Sequence, residues 1–126
     1  MTKFIYDKDD FAYLNTWHKA SPDKHMSLTT TAKPYSDGTS IAAIAASPTA
    51  DGTCDTNFVQ VFVINESCPK LRDTTFKEWK YYADLGGTPI YEDPTSESVV
   101  ASLASIQDGC LVVKTGMIFF PVEKQK

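Results

Sequence analysis

The side chains best suited to chemistry near neutral pH in this sequence are two histidines and three cysteines: His18, His25, Cys54, Cys68 and Cys110. Imidazole gains and loses its proton near neutrality, so His18 and His25 are the first candidates for acid–base work. A thiol becomes nucleophilic when neighbouring cations lower its pKa, and Cys68, ahead of Pro69, Lys70 and Arg72, is the best placed of the three. A small enzyme or ligand-binding domain would need the fold to bring His18, His25 and Cys68 together, because local spacing sets no acid or nucleophile beside either histidine. Zinc would accept a mixed set from His18, His25, Cys54, Asp55 and Cys68, but no Cys-x-x-Cys or His-x-x-x-His is present. No metal and no cofactor is expected.

Asp-Gly-Thr occurs twice, at Asp37 and Asp51. A phosphoryl-transfer nucleophile would need a further carboxylate two residues earlier, where the chain has Tyr35 and Thr49, so both copies read as turns. Neither a phosphate-cradling glycine loop nor a Gly-x-Ser-x-Gly elbow occurs. Catalysis is therefore not the favoured reading.

Aromatic side chains set among charges point instead to recognition. Trp79, Tyr81, Tyr82 and Tyr91 are expected as apolar anchors of an interface, with Glu92 and Asp93 as rim charges. They suggest a non-catalytic protein-binding module, such as an inhibitor, immunity or accessory protein of bacterial or phage origin. The alternative is a structural subunit of a homo-oligomeric or virion assembly, motivated by an apolar C-terminal hairpin whose second strand, marked by Pro121, would form a sheet edge.

The elements that must position these residues read as an α+β domain: a mostly antiparallel sheet with about three helices packed on it, in the order β-α-β-β-β-α-β-α-β-β. Residues 3–6 predict a strand. Asp9-Asp10 caps a first helix carrying Phe11, Leu14 and Trp17. Alternation from His25 to Lys33 predicts a half-buried strand, and the turn residues 34–38 a hairpin into residues 39–47, for which a helix is the competing reading. Phe58–Ile64, apolar on both faces save Gln60, predicts a central strand covered on both sides. Thr75 and Glu78 have capping-box spacing and predict a helix over 75–85, stopped by Gly86-Gly87. An edge strand over 88–91, a third helix carrying Val99, Val100, Leu103 and Ile106, and a hairpin turning at Lys114-Thr115-Gly116 complete the reading.

Bulk properties bound the classes. With 126 residues, 42% of them hydrophobic and 22% charged, the chain suits one domain, residues 1–126, with a core of its own. A net charge of −4 without a basic stripe argues against nucleic acid as a partner. No apolar run is long enough for a membrane helix, and charges within Met1–Asp10 do not suit a signal peptide, so a soluble cytoplasmic protein with reduced thiols is expected.

Overall fold

The computed structural model describes the backbone of residues 2–6 and all of residues 12–35, 38–96 and 98–119. Among these residues nine strands form one sheet: β1 (Thr2–Tyr6), β2 (Ala12–Thr16), β3 (Ser27–Tyr35), β4 (Gly38–Pro48), β5 (Cys54–Ile64), β6 (Lys80–Leu85), β7 (Thr88–Glu92), β8 (Val99–Ile106) and β9 (Gly109–Ile118). Among the described residues the only helix is α1 (Cys68–Asp73), accompanied by a 3-10 turn at Pro22–Lys24. The order across the sheet is β1-β2-β3-β4-β5-β9-β8-β7-β6, and every neighbouring pair is antiparallel. The architecture is thus nearly all β, and the α+β expectation with three helices is overturned.

None of the three expected helices is present among the described residues. Leu14, expected on a helix, lies in β2, where it sits opposite Thr30. The expected helix over 75–85 is a turn followed by β6, because Gly86 and Gly87 both take positive φ (59° and 94°). Two successive left-handed residues make the turn whose twist suits a β-hairpin, so the glycine pair closes β6 onto β7 instead of ending a helix. The expected third helix is β8, whose Val99, Ala101 and Leu103 share one face while Val100, Ser102 and Ala104 share the other.

The expected C-terminal hairpin is one unbroken strand, β9. A Cβ on Gly116 would stand 2.5 Å from the Phe58 ring of β5, so this glycine admits a neighbour's aromatic ring and turns nothing. With β5 on one side and β8 on the other, β9 is central and offers no free edge; Pro121 lies outside the described residues. Among the described strands the edges are β1 and β6, which makes β7 an inner strand. Where alternation was plain, the expectations hold: β1, β3 and the hairpin to β4 are present, with Gly38 at positive φ, and residues 39–47 are strand.

Residues opposite one another in register share a face. On one face α1 and the turn after it cover β8 and β9: Leu71 and Phe76 meet Ala101, Leu103 and Val112, with Phe62, Ile64, Trp79 and Tyr91 packed around them. Ser67 caps α1 by accepting a hydrogen bond from the Lys70 amide at 3.3 Å, and proline stands in its first turn. A disulfide joins Cys68 of α1 to Cys110 of β9, both buried, and corrects the expectation of reduced thiols. Its two cysteines are 42 residues apart, too far for local spacing to announce a pair. Cys54 is free and exposed. On the opposite face no described helix covers β5, and Val59 and Val63 are exposed there, so β5 is not sheltered on both sides as expected.

Candidate interaction surface

Of the six residues expected to form an interface, Tyr81, Tyr82 and Tyr91 lie on the β6–β7 ladder, and Trp79 immediately precedes β6. Tyr81 lies opposite Tyr91 across the β6–β7 ladder, their rings edge to face with centroids 6.0 Å apart. Trp79 packs edge to face on Phe76 at 5.0 Å. Tyr82 is the extra residue of a bulge between Tyr81 and Ala83. Tyr81 and Tyr82 are 59% and 65% exposed, whereas Trp79 and Tyr91 are partly buried and packed against the core. The aromatics therefore divide into two that support the site and two that present it.

The expected rim charges have local duties. Glu92 lies opposite Lys80 across the same ladder. The Asp93 carboxylate accepts from the Thr95 amide at 2.8 Å and from its hydroxyl at 2.7 Å. These bonds, the hydroxyl's foremost, hold its pKa below the ordinary carboxylate range. Asp93 thus shapes the turn into β8.

Two cations complete the surface. The Arg72 guanidinium stands 4.9 Å from the Tyr91 ring centre, and the Lys114 ammonium 5.5 Å from that of Trp79. Arg72 also donates to the carbonyl of Phe76 at 3.2 Å, fixing α1 to the turn that follows it. A groove of about 610 Å³ runs beside this cluster, between α1 and the β6–β7 turn, with Arg72, Tyr91, Leu103 and Ser105 in its walls. Sequence reasoning missed Lys114, took Arg72 only as a neighbour of Cys68, and missed Leu85, an exposed side chain at the end of β6. The alternation of Lys80–Leu85 beside a Gly-Gly turn was the available signal for Leu85. Nothing local links Arg72 to Tyr91.

The groups proposed for catalysis are not assembled. His18 and His25 stack on each other at 4.0 Å around the β2–β3 connection, and the Ser21 amide donates to His18 Nδ1 at 3.0 Å. Cys68 is bound to Cys110, so it offers no thiolate. In register, Ser27 of β3 aligns through Ala46 and Thr56 with Ile118 of β9, eight residues along from Cys110. That offset is roughly 27 Å along the strand and three strand spacings, roughly 14 Å, across the sheet. No group of three or more metal-ligating side chains forms among the described residues, and no helix there is long and apolar enough to cross a membrane.

The chain matches no protein-family model, no curated protein and no solved structure.

Proposed function

We propose that this chain is a non-catalytic protein-binding module that takes an extended segment of a partner along β6. The observation that carries the reading is the exposure of Tyr81 and Tyr82 on an edge strand. An edge offers unpaired backbone groups for strand addition, and tyrosines beside it add contact area at low entropic cost. The groove between α1 and the β6–β7 turn gives a neighbouring side chain of the partner somewhere to seat. The test is capture from an extract of the source cells on the immobilised, oxidised chain. Tyr81→Ala/Tyr82→Ala is expected to reduce recovery of a specific partner at least about tenfold, the scale of an interface hot spot. Equal recovery by the variant and the parent, or none above a blank support, overturns the reading.

A second reading, a subunit of an assembly, is favoured by a different observation, the uncovered apolar face of the sheet. The disulfide bears on location. Disulfides persist in oxidising compartments, so we place the working protein outside the reducing cytosol rather than in the cytoplasm. Alkylation of the protein isolated without reductant should modify Cys54 alone; modification of all three cysteines overturns this placement.

A further inference from the structure

We infer that the uncovered face of the sheet is closed by the same face of a second copy, giving a two-layer β-sandwich across a two-fold axis. The inference deepens the assembly reading and does not depend on the proposed role of β6. Register places Ala32, Ile41, Val61, Val113 and Ser102 in one row crossing β3, β4, β5, β9 and β8 on this face. On this face Leu28, Ile41, Val59, Val63, Ile106 and Met117 are each between 38% and 50% exposed. On these five strands the face carries no Lys, Arg or Glu, and its one Asp, Asp55, lies at the end of β5 away from the row. A face without charge has nothing to repel its own copy.

Area supports the same occupant. Five strands at about 4.8 Å and some eight residues at about 3.3 Å give a footprint of roughly 600 Å². Side-chain relief brings its accessible area toward the about 800 Å² per partner that a standard interface buries. Two such faces stack at about 10 Å with strands roughly 30° apart, and the isologous contact closes on itself. A sheet left in one layer exposes apolar surface that domains ordinarily bury against a second layer.

Sedimentation equilibrium of the oxidised full chain, carrying Cys54→Ser to prevent adventitious cross-linking, decides the matter. A dimer is expected at micromolar concentration, and Ile41→Glu is expected to weaken it by roughly a hundredfold or more, because the symmetry buries the unpaired charge twice. Val63→Lys is the second variant, and native far-UV circular dichroism of either one keeps the result interpretable. Tyr81→Ala/Tyr82→Ala should leave the dimer intact, so failure of the β6 reading and failure of this one are separable. A monomer at 100 micromolar (about the upper range of a specific weak dimer), a dimer unmoved by both charges, or a dimer seen only after residues 120–126 are deleted overturns the inference.

Discussion

Two regions of the sheet are built on different terms. Around β8 and β9 the chain has a second layer, and Leu71, Phe76, Leu103 and Val112 are buried between α1 and the sheet. Across β3 and β4 the ladder is longer, yet among their described residues Ser40 alone is buried, and Gln60 donates to it across the sheet at 3.2 Å. Strand pairing satisfies backbone groups in both regions, but apolar area leaves water only where something lies on top of it. Ladder length and core strength are therefore separate quantities here.

The largest expected break in this contrast comes from paired truncations. Leu71→Ala removes a side chain 1% exposed at the centre of the covered half and should cost about 2–5 kcal/mol in urea unfolding. Ile44→Ala, on the single-layer half, should cost about 1 kcal/mol or less, since that side chain is already close to half exposed. Equal costs would show that β3–β4 has a covering layer after all. Next, replacing Cys68 and Cys110 by alanine opens a closure 42 residues long and should lower stability by about 2–4 kcal/mol, read as a lower denaturation midpoint.

Gly116→Ala comes third, at about 1–3 kcal/mol, because the added carbon meets the Phe58 ring. Combining it with Phe58→Leu should recover part of the loss, whereas strict additivity would mean that the ring is not the obstacle. The smallest effect is a local one at the β4–β5 turn. Asp51 accepts hydrogen bonds from the hydroxyls of Thr49 and Thr53 and from the Thr53 amide, which hold its carboxyl down at about 2. Because that value lies below the unfolded one, the support it gives this turn is complete above the ordinary carboxylate range near 4 and is lost as pH falls through about 2. Carbon-detected titration should show Thr49→Val raising the Asp51 value toward that ordinary range; an unmoved titration would remove the hydroxyl as its cause.

Legibility followed the same division. The alternation of β3, the turn at Gly38 and the apolar run in β5 were plain because each pattern is complete within a few residues. The segments 75–85 and 99–106 carry apolar residues at spacings that fit one helical face, and they also alternate. Pairing with β7 and β9 decided between the two, and that partner choice is not written in either segment. The helix that does form, α1, was not expected: Ser67 caps it and proline stands in its first turn, but six residues are too few to show a period. At the candidate interface, residue types did not reveal that Trp79 and Tyr91 would be partly buried and Tyr81 and Tyr82 exposed.

By itself the sequence determined the turn at Gly38, the alternation of β3, the apolar run of β5 and the lack of recognisable catalytic spacing. Each of these depends on neighbours along the chain. Only tertiary structure decided that Cys68 meets Cys110, that Arg72 covers Tyr91, that β9 lies in the middle of the sheet and that Val59 and Val63 of β5 are exposed. These are contacts between distant segments, selected by which pairings satisfy the backbone and bury the most apolar area together, a property of the whole chain that no short window contains.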